Sequence, residues 1–151
     1  AYSPDEAKIT LRRVGDKPGV AANIFGSLAK ASINVDMIVQ NVSEDGNATD
    51  ITFTVSQTDS ERTSEVLHKL RNEIGFSDLI ADRNVTKISV IGVGMRSQPG
   101  VATTMFKTLG EKGINIEVIS TSEIKVSVLI RPEYTELAVR ALHTAYGLDS
   151  S

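Results

Sequence analysis

Apolar positions along the chain follow two alternating periods, one typical of strands and one typical of helices. Ile9 and Leu11 alternate with polar residues, as in a half-buried strand, whereas Val20, Ile24 and Leu28 recur at the spacing of one helix face. Six elements are predicted in the first half of the chain: a strand at Lys8–Val14, a helix from Pro18, strands at Ile33–Val42 and Ile51–Val55, a helix at Ser60–Ile74 and a strand at Phe76–Ala81. The order β-α-β-β-α-β predicts an antiparallel sheet with two helices on one face, the ferredoxin-like arrangement.

This pattern repeats in the second half of the chain. Lys8-Ile9-Thr10 reappears as Lys87-Ile88-Ser89, and Leu67-His68 reappears as Leu142-His143. Between them, two longer motifs recur in the same order: Pro18-Gly19-Val20-Ala21 as Pro99-Gly100-Val101-Ala102, and Ile33-Asn34-Val35-Asp36 as Ile114-Asn115-Ile116-Glu117. The spacing between partners changes only where loops are expected. A solenoid needs about three or more repeats, so two repeats predict a pair of small domains.

The second unit is predicted to lack the last strand of the first. Its elements are a strand at Lys87–Val93, a helix at Pro99–Lys112, strands at Ile114–Ile119 and Lys125–Ile130, and a helix at Glu133–Tyr146. We therefore expect an α+β protein of two ferredoxin-like units, residues 8–83 and 87–151. The N-terminal residues 1–7 are expected to complete the sheet of the second unit.

Composition narrows the possible partners. The net charge of −3 offers no basic footprint for nucleic acid or an anionic membrane, and no apolar stretch reaches the length of a membrane span. The chain has no Cys, which excludes disulfides and fits a reducing compartment. The N-terminal sequence also lacks the regions of a signal peptide. We expect a cytoplasmic protein that binds neither nucleic acid nor membrane.

Residues with the chemistry of catalysis are few. The two histidines, His68 and His143, occupy equivalent helix positions, and each follows a leucine of an apolar face. Gly92-Val93-Gly94 follows a strand, but the full glycine-rich dinucleotide motif is missing. The sequence holds no metal-ligand cluster with His spacing and no nucleophile motif. We expect no catalytic residues, no metal and no cofactor.

The repeated loops before the first helix of each unit suit a different chemistry. Free N–H groups at a helix start attract a carboxylate, and the loop glycines allow close approach. Asn34 and Asn115 can donate and accept hydrogen bonds, while Asp36 and Glu117 can receive an ammonium group. A carboxylate-binding group beside an ammonium-binding group is what a free amino acid requires. The candidate positions by this argument are Asp16, Lys17, Pro18, Gly19, Val20, Ala21, Asn34, Val35, Asp36, Gly100, Val101 and Ala102.

Several segments resemble the tandem ACT region of bacterial aspartate kinase, over nearly the whole chain. They are residues 16–21, 33–41 and 50–54 and, above all, 114–130, which reads INIEVISTSEIKVSVLI. The resemblance is to the C-terminal regulatory half, or to the separate small β subunit that some bacteria make from the same gene, without the kinase lobe. Residue by residue, it implies effector positions at Asp16, Gly19, Ala21, Gln40, Asn115, Ile116, Ser122 and Glu123.

The resemblance also implies a function. In that family, threonine and lysine inhibit the pathway from aspartate to lysine, threonine and methionine, and the ACT units pair across chains. The implied partners are a second copy of this chain, a catalytic aspartate kinase subunit and amino-acid effectors. Two alternatives stay open: an amino-acid sensor of another enzyme or transcription factor, and a small ferredoxin-like enzyme such as an acylphosphatase-type hydrolase, for which Arg12 or Arg13 would bind an anion.

Overall fold

A computed structural model describes residues 2–15, 18–42, 48–91, 100–122 and 124–146. The strands in these ranges are β1 (Tyr2–Gly15), β2 (Asp36–Val42), β3 (Ala48–Ser56), β4 (Asp78–Ile91), β5 (Val118–Thr121) and β6 (Lys125–Ile130). The helices are α1 (Val20–Lys30), α2 (Ser60–Lys69), α3 (Arg71–Ile74), α4 (Gly100–Glu111) and α5 (Thr135–Ala145). Single 3-10 turns at Gln57–Asp59 and Pro132–Tyr134 precede α2 and α5. No helix among the described residues is both long and apolar enough to cross a membrane.

The chain divides into two compact units. The first consists of residues 5–83, and the second of the residues from Asn84 onward together with residues 2–4. Both β1 and β4 therefore contribute residues to each unit. The fold class is confirmed: each unit is α+β, with antiparallel strand pairs and helices.

In the first unit the strand order is β2-β3-β1-β4. The strand β3 pairs antiparallel with both β1 and β2, and Phe53 lies opposite Ile9. The alternate positions Ile9 and Phe53 point into a core that also contains Leu28 of α1 and Leu67 of α2. The apolar residues recur with a period of two along the strands and of 3.6 along the helices, so one face of each element is buried, as the sequence predicted.

The second unit repeats this construction with β4, β6 and β5. The strand β6 pairs antiparallel with both neighbours, so that Val128 lies opposite Ile88 of β4 and Ile119 of β5. Ile88 and Val128 share a separate core with Met105 of α4 and Leu142 of α5. Each unit therefore has its own hydrophobic core.

The structure differs from the sequence-based expectation at the boundary between the units. Residues 84–86, which separate the two expected units, are extended strand, because β4 runs without interruption from Asp78 to Ile91. Residues 5–7, expected to complete the second unit, instead belong to the first. The cause is visible at Ala7, which pairs with Val55 of β3 and is fully buried in the first core.

Three other predicted boundaries shift for local reasons. The single helix expected over Ser60–Ile74 is interrupted at Leu70, whose N–H bonds to the carbonyl of Leu67 in a 3-10 pattern. The strands expected from Ile33 and Ile114 begin later, at Asp36 and Val118. Ile33 and Ile114 are buried, but each closes the turn after a helix by bonding to a helix carbonyl, that of Leu28 or Leu109.

Candidate functional site

The first candidate group lies where α1 begins. Gly19 precedes the helix with a φ of 89°, and its carbonyl accepts the first intrahelical hydrogen bond, from the N–H of Asn23, at 2.9 Å. No described side chain caps this helix start. The first N–H groups of an α-helix have no intrahelical partner, so those of Val20 and Ala21 are suited to a carboxylate. Pro18, Gly19 and Ala21 are exposed and Val20 is half-buried, whereas Asp16 and Lys17 lie outside the described residues.

The equivalent group in the second unit lies at the start of α4. The helix begins at Gly100, which is exposed, and Val101 and Ala102 are half-buried. The carbonyl of Val101 accepts a hydrogen bond from the Tyr146 hydroxyl at 2.5 Å. Burial raises the pKa of Tyr146, which a hydrogen bond with the backbone of Met105 partly offsets. The hydroxyl therefore remains protonated and ties α5 to the first turn of α4.

A second group lies at the beginning of β2. Asn34 is exposed, while Val35 packs against the first core. Asp36 is half-buried, and its Oδ1 accepts a hydrogen bond from the N–H of Met37 at 2.8 Å. Met37 has a φ of 48°, so the carboxylate of Asp36 is held by an unusual local backbone conformation.

The equivalent residues before β5 differ from those before β2 because their acidic side chain is paired with a cation. Asn115 is exposed and Ile116 packs against the second core, as in the first unit. The carboxylate of Glu117, however, forms an ion pair with Arg131, with Oε2 3.3 Å from Nε. Glu117 was expected to bind the ammonium group of a ligand, but its carboxylate already pairs with the guanidinium group of Arg131.

Within one unit the structure does not bring the two groups together. Asp36 lies opposite Thr54, which lies opposite Lys8, in the middle of β1. The start of α1 follows Gly15, at the other end of β1. Lys8 and Gly15 are seven residues apart along β1, so the start of β2 and the start of α1 are about 20 Å apart. One free amino acid is too short to touch both, so the expectation of adjacent groups within a unit is wrong.

The same separation holds in the second unit. Asn115 and Ile116 precede Val118, which lies opposite Leu129 and so is level with Lys87 of β4. The helix α4 follows the far end of that strand, Ile91. The two ends of each unit therefore carry different candidate groups.

Of the two other predicted residues that the structure describes, only Ser122 shares an end with a helix start. Gln40 is exposed in β2, opposite Ile51, which in turn pairs with Leu11, so it lies about midway between the levels of Lys8 and Gly15. Ser122 is exposed just after β5, and its N–H bonds to the carbonyl of Lys125 at 2.7 Å in the turn to β6. Glu123 lies outside the described residues.

A polar cavity lies at the end of the first unit where α1 begins, and the sequence did not predict it. It has a volume of about 180 Å³ and is lined by Arg12, Arg13, Asn41, Val42, Ala48 and Asp50. A register shift between Leu11 and Val14 gives Arg13 a φ of 55° and lets its N–H donate to Asp50 Oδ1 at 2.9 Å. The cavity thus combines cationic and anionic groups, as a zwitterion requires. The available signal was the Arg12-Arg13 pair, which breaks the strand alternation.

Comparisons with known proteins agree with the internal repeat. The pattern that defines the ACT domain matches residues 12–70 and 88–146. The aspartate kinase of Pseudomonas putida is 53% identical over 150 residues, which cover 99% of this chain but 36% of that enzyme. The chain thus spans about a third of the length of this curated relative.

Two solved structures match the chain over nearly their whole length. A chain from the crystal structure of aspartokinase alpha and beta subunits is 50% identical, with a TM-score of 0.89, and the match covers 97% of this chain and 96% of that one. The ligand-free regulatory subunit of aspartate kinase from Thermus thermophilus is 40% identical, with a TM-score of 0.90 and coverages of 97% and 95%. The likeness therefore extends to separate regulatory chains as well as to part of a longer enzyme.

Proposed function

The chain belongs to the ACT domain family as the regulatory part of an aspartate kinase, and from this premise we propose that it binds an amino acid and transmits feedback inhibition. The proposed effectors are threonine, lysine or both, which are products of the pathway that the kinase would begin. The proposed partner is the catalytic part of aspartate kinase, whose activity falls when the effector binds.

The observation that carries this proposal is the chemistry at one end of the first unit. The uncapped start of α1, after Gly19, offers N–H groups to a carboxylate, and Gln40, three residues along β3 from the level of Gly15, offers an amide. The nearby cavity adds the guanidinium groups of Arg12 and Arg13 and the carboxylate of Asp50. Threonine carries one carboxylate and one ammonium group, and lysine carries one carboxylate and two ammonium groups. This set of residues matches those groups in type.

The separation of the two groups within each unit supports a site shared between two copies of the chain. An effector bound at a helix start is about 20 Å from Asn34 and Asp36 of the same unit, by the strand registers given above. We propose a two-fold homodimer in which the first unit of one chain meets the second unit of its partner. A two-fold contact then brings a helix start and a strand start together twice, once in each equivalent site.

The test is calorimetric titration of the chain with threonine and with lysine, with D-threonine as the ligand control. The variant Gln40→Ala is expected to weaken effector binding by about tenfold, because one hydrogen bond to a charged ligand is lost. The variant Asn72→Ala, which removes an exposed amide on α3, is the matched control and is expected to bind as the parent does.

Two results would contradict the proposal. One is the absence of both heat and a shift in melting temperature at millimolar threonine and lysine, since a ligand that binds the folded state must raise its stability. The other is an equal response of the Gln40→Ala and Asn72→Ala variants. Sedimentation with and without the effector tests the shared site separately, because a ligand that bridges two chains must strengthen the dimer.

A further inference from the structure

The polar cavity of the first unit is built by a β-bulge in β1. The register of β1 on β3 shifts between Leu11 and Val14, so that Arg12 and Arg13 together lie opposite Asp50. In a regular strand Arg13 would share the core face with Leu11, because side chains alternate. The extra residue instead lets Leu11 and Val14 both reach the core, and both arginines are exposed.

Hydrogen bonds hold the bulge on both sides. The carbonyl of Arg12 accepts from the N–H of Ser77 at 2.9 Å and from its hydroxyl at 3.3 Å. On the other side, the N–H of Arg13 donates to Asp50 Oδ1 at 2.9 Å. Arg13 has a φ of 55°, a conformation that costs energy in a residue with a Cβ and is enriched at ligand-binding sites. The two arginines therefore extend from a backbone that the neighbouring strands fix in place.

The internal repeat shows that the fold does not require these charges. The strand repeat that matches Lys8-Ile9-Thr10 with Lys87-Ile88-Ser89 also matches Arg12 with Ile91. In the second unit Ile91 lies opposite Lys125, at the place where Asp50 stands in the first unit. The same strand pair thus forms with an apolar residue and a cation. The combination of two arginines and one carboxylate belongs to the first unit and needs another explanation.

The number of charged groups in the cavity indicates a particular kind of ligand. Two guanidinium groups, one carboxylate and the amide of Asn41, which lies opposite Asp50, surround a volume of about 180 Å³. Among the described residues, none forms a hydrogen bond or ion pair with the guanidinium group of Arg12 or Arg13. A ligand with one carboxylate and one ammonium group leaves one guanidinium group unmatched. A ligand with two carboxylates and one ammonium group matches all three charges.

We propose that this cavity binds a small dicarboxylic amino acid, with its two carboxylates on Arg12 and Arg13 and its ammonium group on Asp50. The inference rests on the proposed function, because it adds a class of ligand at the same end of the first unit. The proposed effector uses the same guanidinium groups, so the two ligands exclude each other. An acidic amino acid therefore opposes the feedback signal that the effector transmits.

The test is calorimetric titration of the whole chain with L-aspartate and with two ligands of nearly the same shape. L-asparagine has an amide in place of the second carboxylate, and succinate lacks the ammonium group. Each is expected to bind at least about tenfold more weakly than aspartate, because one charged contact is lost. In the chain labelled with 15N, the amide resonances of Arg13 and Asn41 are expected to shift as aspartate is added, which locates the ligand in the cavity.

Variants of the three charged residues test each contact. Asp50→Asn keeps an oxygen for the N–H of Arg13 but removes the negative charge, so this variant is expected to bind succinate better than aspartate. Arg12→Gln and Arg13→Gln each remove one cation, and the preference for aspartate over asparagine is expected to vanish in one of them. Arg83→Gln, the same change at an exposed position of β4, is the matched control and is expected to bind as the parent does.

Several outcomes would overturn the proposal. They are no heat at millimolar aspartate, equal affinity of the parent chain for aspartate and asparagine, or a threonine affinity that saturating aspartate leaves unchanged. The comparison of ligands uses the parent chain, so it remains decisive even where a variant fails to fold. Binding of threonine without binding of aspartate refutes this inference alone. Binding of aspartate without binding of threonine or lysine refutes the proposed effectors alone.

Discussion

Replacing Gly19 with Ala is expected to destabilise the first unit, although the added methyl group meets no other atom. A Cβ built at Gly19 has nothing within 4 Å, so steric contact contributes no cost. The cost comes from the backbone conformation, because the φ of Gly19 is 89° and residues with a Cβ avoid this region. Gly26, in the middle of α1, has equally open surroundings but an ordinary helical backbone. The pair of sites therefore separates backbone conformation from crowding.

The expected magnitudes have opposite signs. An L-residue in the left-handed region costs about 1–2 kcal/mol, and the reduced freedom of Ala in the unfolded chain offsets about 0.4–1 kcal/mol of it. The net loss for Gly19→Ala is about 1 kcal/mol. Gly26→Ala is expected to gain about 1 kcal/mol, the difference in helix propensity between the two residues. The two variants are thus expected to differ by about 2 kcal/mol.

Urea denaturation followed by circular dichroism measures both changes. The midpoint is expected to fall for Gly19→Ala and rise for Gly26→Ala, while the slope stays constant because the surface exposed on unfolding is the same. A Gly19→Ala variant as stable as the parent would show that the left-handed turn before α1 is not present in solution. The proposed carboxylate site at that helix start would then lose its structural basis.

Two other predictions concern the interior of each unit. Phe53→Ala is expected to destabilise the first unit by about 3–5 kcal/mol in urea denaturation, because Phe53 is fully buried and packs edge-to-face with Phe25 at 5.4 Å; a loss below about 1 kcal/mol would contradict this core. For Tyr146, burial raises the pKa above 10.0 in the folded state, so the unfolded chain loses its proton first as the pH rises. The stability that this hydroxyl contributes should be complete below pH 10.0 and decline above it, and Tyr146→Phe should show less of that decline; identical pH profiles for the two proteins would refute the assignment.

Much of the fold was predictable because the apolar residues that each unit buries recur at simple periods along the chain. Ile9, Leu28 and their repeats at Ile88 and Leu109 indicated the strand and helix faces that the structure buries. The beginning of β1 was not predictable from periodicity, because residues 2–6 are mostly polar and are held by neighbouring strands. The break at Leu70 likewise depends on packing, since the sequence there is a continuous amphipathic pattern.

The candidate site was less predictable than the fold, because it depends on which strand residues lie at the same level. The sequence indicated Gly19 and Asp36 correctly as features of a helix start and a strand start. It did not indicate that Asp36 is level with Lys8 of β1, whereas Gly19 follows the end of that strand at Gly15. The Glu117–Arg131 pair and the Arg13–Asp50 contact join residues far apart in sequence. Such pairs follow from strand register, which a single sequence does not supply.

The assignment of residues 2–4 to the second unit has a consequence for the order in which the protein is made. The first unit is continuous in sequence, from residue 5 to residue 83, so all its parts are translated before the bulk of the second unit. Domains generally fold as units, the N-terminal one first. Tyr2 and its neighbours, by contrast, are translated before the first unit and must wait for α5 before their own unit exists. Residues 2–4 and α5 can therefore come together in the second unit only late in the synthesis of this polypeptide.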